Sequence, residues 1–505
     1  MLQLTVDAAK SIGPNTRFWQ AAGCDFLYLM TPRPEGQTLL DRLEQFGSVK
    51  WLRNHYSLSD EIKRGLRVGG EVYKEDASGK PIYDFSKINA VFAEWVNRGI
   101  RPIMEMDYMP AALGSRGKTG VPKDWGKWAD LQKAFTANLI EKFGREEVRK
   151  WPFEVWNEPD GYPPERQEQF YHIYDVFVDS VGSVDPAIRV GGPAAFKPYC
   201  LKSFLNHVVN GTNHVTGKKG TRIDFISFHI YGLSGGWLEM HPLVQPAVQR
   251  MIGDLMWVQR IIEDFPELIG KEFQLNEWGM ASNFERTSED HPCLEYRNSE
   301  ANALFLAKLV HCMWALQDAV GMTASVALYW GFAWEAYCGK MFNGNRSLTT
   351  AGNVPKPILT AYEMLARLGD HRLAVSGCRA GEPVGMIATR SGEGQVQLLA
   401  YQYTELQESP EGSQSLEITL EGLPAGAREM SIECCFLDRD RHNTYRRWQK
   451  MGSPKDPAQA DLKALMDEAT LRPDCTMSCG VSGGKARFVL DLPNNGMCLV
   501  MANCG

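Results

Sequence analysis

Eight short apolar runs, each followed by a stretch with helical spacing, lie between about Trp19 and Trp334, and after Leu373 the apolar residues repeat every two positions instead. Together these observations predict an α/β protein, a (β/α)8 TIM barrel with an accessory C-terminal β-sandwich domain. A chain of 505 residues is long enough for both, and 44% hydrophobic with 23% charged residues is the make-up of an ordinary folded protein.

The elements follow in order. Leu2, Leu4 and Val6 alternate with Gln3, Thr5 and Asp7, a strand expected to join the late antiparallel sheet. The accessory domain is therefore expected to be discontinuous, residues 1–14 plus 351–505, around a barrel at 15–350. Strand ends fall near Ala22, Arg53, Met106, Glu158, Pro193, Tyr231, Glu277 and Trp330. Pro159 disfavours the helical region for the residue before it, so Glu158 is expected to stay extended at its strand tip. Leu131, Phe135, Leu139 and Phe143 recur every four residues up to Gly144, an amphipathic helix with its stop, and Phe305, Leu309, Met313 and Leu316 mark another. In the second domain Leu416, Ile418 and Leu420, and later Ala486, Phe488, Leu490 and Leu492, alternate with polar residues as sheet does. Asp456 to Ala469 reads as a short inserted helix, capped by Asp456 with Pro457 in its first turn.

Composition narrows the function. The net charge is −7 and no basic run exceeds Lys218-Lys219 or Arg446-Arg447, so a nucleic-acid backbone finds no landing strip. The first residues lack a basic segment followed by an apolar one, and no run approaches the ~20 apolar residues of a membrane span. As written, the chain is expected to be soluble, cytoplasmic and independent of membranes. The twelve cysteines match no zinc spacing at Cys434-Cys435 or Cys475-x3-Cys479, and many sit in apolar runs. They read as reduced core residues, and no metal site is expected.

In such a barrel the C-terminal strand ends converge on one face. That face would gather Arg53 and His55 after strand two, Asp107 and Tyr108 after three, Asn157 and Glu158 after four, His229 and Tyr231 after six, Glu277 after seven and Trp330 after eight. Sugar hydroxyls need hydrogen-bonding groups and sugar C–H faces need aromatic surface, and the set supplies both. Each residue has a plainer reading: a solvated loop carboxylate, a structural histidine, a loop-capping aspartate, a core tryptophan. The matched Asn-Glu pairs in F-E-V-W-N-E-P-D and F-Q-L-N-E-W-G outweigh it, because two carboxyl groups across a sugar can divide acid and nucleophile roles. An aldolase-type barrel would want a Schiff-base lysine at a strand end, and none of the eight ends offers one.

The sequence resembles glycoside hydrolase family 39 nearly end to end. The resemblance lies in W-L-R-N-H at Trp51, Y-D-F-S-K-I-N at Tyr83, V-W-N-E-P at Val155, R-V-G-G-P at Arg189, D-F-I-S-F-H-I-Y at Asp224 and N-E-W at Asn276. V-P-K-P-I-L-T-A-Y-E-M-L-A-R-L-G-D at Val354 and N-T-Y-R-R-W-Q-K-M-G-S-P at Asn443 resemble its β-xylosidase branch. The resemblance implies Glu158 as general acid/base, Glu277 as nucleophile, Asn157 on the sugar 2-hydroxyl, and His55, His229 and Tyr231 around the non-reducing sugar. Asp107, Trp330 and Glu335 join them as candidates for substrate binding, with Arg53 behind Glu277 favouring its charged form. Two departures stand near the substrate: Gly279-Met280 follow Glu-Trp where the xylosidase pattern is polar, and Glu335 alone remains of the acidic pair after strand eight. The expected activity is that of a retaining exo-glycosidase, foremost a β-xylosidase acting on an oligosaccharide or other glycoside with no cofactor. The alternatives are another glycone (galactoside, arabinoside or uronide) or a non-catalytic carbohydrate-binding protein. A uronide is expected to be disfavoured, since Tyr231 stands where the uronidase branch has lysine. The family includes monomers and larger assemblies, so a homo-oligomer is compatible.

Overall fold

A computed structural model describes all residues except 64, 116, 234–245, 283–285, 333–339, 406–411 and 505. Eight parallel strands close into a barrel: Ala21–Gly23, Trp51–Arg53, Arg101–Met106, Pro152–Val155, Arg189–Ala195, Phe225–Tyr231, Glu272–Gly279 and Ala324–Trp330. Their near-unbroken burial accounts for the continuous apolar runs in the sequence, because both faces of each strand are covered. The predicted helix ending at Gly144 spans Trp125–Phe143. Asp124 caps its start, accepting from the Lys127 backbone N–H, and Gly144, at φ 84°, ends it.

The helix Glu300–Val320 is long and apolar enough to cross a membrane by length and composition, which corrects the expectation that no such segment exists. Burial explains its composition. It packs against the helix Pro357–Ala366 and against strands of the second domain, and most of its residues are buried. The helix Pro357–Ala366 in turn lies on the barrel, where the Tyr362 hydroxyl donates to the Ala21 carbonyl at 3.3 Å.

The second domain is a nine-stranded sheet closed on itself. The N-terminal strand Leu2–Pro14 lies between two late strands, parallel to Ser413–Glu421 and antiparallel to His371–Ser376. Leu4, Val6, Leu416, Ile418, Leu420, Leu490 and Leu492 fill its interior. The inserted helix runs Gln459–Glu468 and begins later than the sequence suggested. Its first turn is closed by the Asp461 carboxylate, which accepts from the Ala458 N–H at 3.2 Å, so Asp456 is not its cap. Because Val6 is wholly buried where strands from both ends of the chain meet, Val6→Asp is expected to destabilise the fold by about 3 kcal/mol or more, read as a lower midpoint in urea.

Candidate active site

Arg53, at the tip of the second barrel strand, is completely buried and organises the floor of the site. Its Nε donates to Glu154 Oε2 at 2.9 Å, Nη2 to Glu105 Oε1 at 2.8 Å and Asn157 Oδ1 at 3.2 Å, and Nη1 to Glu277 Oε1 at 3.0 Å. The flat guanidinium is the side chain that can hold three carboxylates in fixed directions at once. Glu105 and Glu154 lie within otherwise apolar strands. Neither is among the residues expected at the site, although a carboxylate inside such a strand needs a buried partner.

Glu277 receives further contacts, among them His229 Nδ1 at 3.5 Å from its Oε2. The Tyr231 hydroxyl donates to its Oε2 at 2.8 Å, and His55 Nε2 lies 3.3 Å from its Oε1. Burial opposes its charge, but His229, His55 and Arg53 override that and hold its pKa well below the usual carboxylate range. His55 is itself fixed by Glu105, 2.9 Å from Nδ1, and stacks near Trp330 with ring centroids 4.4 Å apart. Burial works against the imidazolium, yet Glu105, Glu277 and Asp25 raise the His55 pKa to about 10. Burial pushes Glu105 up to about 8 against the pull of Arg53 and His55.

Glu158 departs from its expected conformation. It sits in the left-handed region at φ 46° and ψ 63°, and Trp156, two residues earlier, has φ 69°. Each such residue costs about 1 kcal/mol or more, and the surroundings hold both in place: the Glu158 N–H donates to the Ala194 carbonyl at 3.1 Å, and the Trp156 indole N–H to the Lys118 carbonyl at 2.7 Å. The turn aims the carboxylate at the mouth of the barrel. Its Oε1 lies 3.1 Å from His229 Nδ1, and its Oε2 forms an ion pair with Lys118. Burial opposes the charge, but His229 and Lys118 together hold its pKa down to about 2. In this arrangement the surroundings favour the ionised form of both glutamates. One carboxylate oxygen of Glu158 and one of Glu277 lie within 4.8 Å of each other.

A cavity of about 310 Å³ opens on this pair and is lined by Asp25, His55, Tyr56, Lys63, Tyr108, Lys118, Asn157, Glu158, Phe196, Tyr231, Glu277, Ser282, Trp330 and Arg346. Of the residues expected on this face, His55, Tyr108, Asn157, Glu158, Tyr231, Glu277 and Trp330 line it. Arg53 lies beneath, as anticipated. Asn157 is oriented by donating to the Tyr108 hydroxyl at 3.0 Å. Two placements are corrected. Asp107 does not reach the cavity, because its buried carboxylate turns back to accept from the Ser57 N–H at 3.1 Å. His229 sits behind the two glutamates with a fully buried side chain, so it positions the carboxylates rather than facing a sugar. Glu335 lies outside the described residues.

Arg346 was missed. It comes long after the last barrel strand, where nothing local signals it, and a close approach brings it in: Gly331 has no Cβ, and one there would collide with the Arg346 carbonyl. Its Nη1 donates to the Tyr231 hydroxyl at 3.1 Å, and its guanidinium lies over the Tyr231 ring. Lys118 was missed for the same reason, as a loop residue recruited by tertiary contacts.

Clusters of potential metal ligands occur at Asp175, His207 and His214, at His55, Glu105 and Asp107, and at Glu158, His229 and Glu277. In the first, Asp175 accepts directly from His207, His214 and Thr221, which explains the closeness of the group.

A barrel with paired carboxylates at the ends of its fourth and seventh strands is the architecture of a glycoside hydrolase. The chain belongs to Glycosyl hydrolases family 39, whose sequence model matches residues 2–484. It is 28% identical over 445 residues to a β-xylosidase of Geobacillus stearothermophilus, covering 82% of this chain and 79% of the relative. It is 25% identical over 495 residues to the α-L-iduronidase of Mus musculus, covering 91% and 74%. The fold matches that of a monomeric β-xylosidase from Caulobacter crescentus CB15 with a TM-score of 0.80 and 23% identity over the whole of both chains.

Proposed function

We propose that this glycoside hydrolase is a retaining exo-acting β-xylosidase in which Glu277 is the nucleophile and Glu158 the acid/base. The observation that carries the reading is that one oxygen of each carboxylate lies within 4.8 Å of the other at the cavity, which favours direct attack over a spacing that admits a water between the two groups. Retaining enzymes hold the two carboxyl groups about 5 to 5.5 Å apart, whereas inversion needs about 6.5 to 9.5 Å to admit a water. Glu158 must first take up a proton; in the first step a Glu277 oxygen then bonds to the anomeric carbon, the bond to the leaving oxygen breaks, and Glu158 gives that oxygen the proton it has taken up. In the second, Glu158 takes a proton from water, the water oxygen bonds to the anomeric carbon and the Glu277 ester breaks. Arg53, His55 and Tyr231 favour the ionised nucleophile, and their hydrogen bonds are returned when the ester is cleaved.

The β-xyloside reading draws support from the β-xylosidase relative and from the xylosidase-like segments at Val354 and Asn443. A second reading, hydrolysis of a uronide, is favoured by Arg346, a cation in the cavity beside Tyr231. An unpaired carboxylate in this cavity would cost several kcal/mol, about a thousandfold in selectivity, and Arg346 removes much of that barrier. The test is kcat/KM on a β-xyloside, a β-glucuronide and an α-L-iduronide with one leaving group. The β-xyloside is expected to be turned over fastest, with a margin well short of a thousandfold that widens in Arg346→Met. Faster turnover of a uronide would replace the glycone and leave the two-glutamate mechanism standing.

A further inference from the structure

We propose that Lys118 is a specificity-determining residue on the leaving-group side, which holds Glu158 in the resting enzyme and yields it to an aglycone bearing a carboxylate. The proposal rests on Glu158 being the acid/base. A general acid needs one oxygen free to carry a proton towards the leaving group, and both Glu158 oxygens are occupied, Oε1 by His229 and Oε2 by Lys118. One contact must open. His229 is buried and also lies 3.5 Å from Glu277, so it cannot withdraw without disturbing both carboxylates. Lys118 can, since its side chain is 48% exposed and ends a flexible four-carbon stem in the cavity wall.

The backbone beneath that stem is fastened to the segment that carries Glu158. The Trp156 indole N–H donates to the Lys118 carbonyl at 2.7 Å, Arg166 Nη2 to the Thr119 carbonyl at 3.2 Å, and the Tyr162 hydroxyl to the Gly120 carbonyl at 2.6 Å. The ammonium therefore has a fixed base and a movable tip, and it stays at the rim when it leaves Glu158. The acid must face the glycosidic oxygen, so this tip is on the aglycone side. A neutral aglycone offers the ammonium no replacement for the Glu158 carboxylate; an anionic one does, and frees the acid as it binds. Among the described residues His229 and Glu277 lie against Glu158, Tyr231 and Asp160 stand further off, and Asp25, Lys63 and Arg346 share the cavity; none of them is as exposed as Lys118.

The test uses glycosides of 3-carboxyphenol and 3-carbamoylphenol on whichever glycone the comparison above selects, with the wild type, Lys118→Met, Lys118→Arg and Glu158→Gln. The wild type is expected to favour the carboxylate-bearing aglycone by about fivefold to tenfold in kcat/KM, the arginine variant to keep that preference and the methionine variant to lose it. With the neutral aglycone, the alkaline limb of kcat/KM is expected to move up by about one pH unit in Lys118→Met, because removing the cation raises the pKa of the acid. Equal use of the two aglycones by the wild type, an undiminished preference in Lys118→Met, or an unmoved limb would each overturn the proposal. Full activity of Glu158→Gln on both glycosides would instead remove the acid/base assignment beneath it.

Discussion

Glu277→Ala is expected to abolish hydrolysis of every substrate, a loss on the order of 10⁵-fold or more, because the glycosyl ester cannot form without it. Glu158→Ala is expected to lose about 10² to 10⁴-fold on aglycones that need a proton and far less on a dinitrophenyl glycoside, whose leaving oxygen departs unprotonated. The two variants should also part company in azide. In Glu158→Ala the glycosyl ester on Glu277 still forms, and azide enters on the face opposite to it, giving a glycosyl azide of retained configuration. In Glu277→Ala there is no ester, and any azide product is inverted. The anomeric configuration read by NMR decides the matter: the same product from both variants would mean that the roles are wrongly divided. The surroundings argue for this division. Glu277 is held by Arg53, Tyr231 and His55, all favouring a permanent charge, whereas one of Glu158's two partners is the half-exposed Lys118.

Much of this site is legible in the sequence because the barrel converts order along the chain into position on a face. Residues at the ends of apolar runs had to converge, and seven of those anticipated line one cavity. What could not be read depended on contacts rather than pattern. The proline after Glu158 argued for extended backbone, yet the Ala194 carbonyl and the Trp156 contact with Lys118 select a left-handed turn. A local preference of this kind is easily outweighed by a few tertiary hydrogen bonds. Asp107 and His229 share a strand-end position with true lining residues, and only side-chain direction separates them. Arg346 and Lys118 reach the cavity from loops, where spacing says nothing. Glu105 and Glu154 differ from these, since a charge amid I-M-E-M and F-E-V announces a buried partner, and Arg53 was at hand.

That buried partner gives the largest expected effect on stability. Arg53→Met is expected to destabilise the protein by about 3 to 5 kcal/mol near neutral pH, since it leaves Glu105, Glu154 and Glu277 packed together without the cation that faces all three. The loss should not come from the arginine's packing, because methionine fills much of the same space. The sign of the pH dependence separates the two causes. In the wild type Glu277 is held well below its ordinary 4.5, so its contribution is present above about that pH and lost as the pH falls through the depressed value. In the variant the orphaned carboxylates prefer their protonated forms, so the folded state regains stability as the pH falls. The gap between wild type and variant is therefore expected to be widest near pH 7 and to narrow towards pH 4.5, as measured by urea midpoints across that range. A further change of Glu154→Gln in the Arg53→Met background should recover part of the loss, since it removes a buried carboxylate whose cationic partner was Arg53. A gap that stayed constant with pH, or one under about 1 kcal/mol at pH 7, would mean that Arg53 is held by shape and that the carboxylates beneath the site do not depend on its charge.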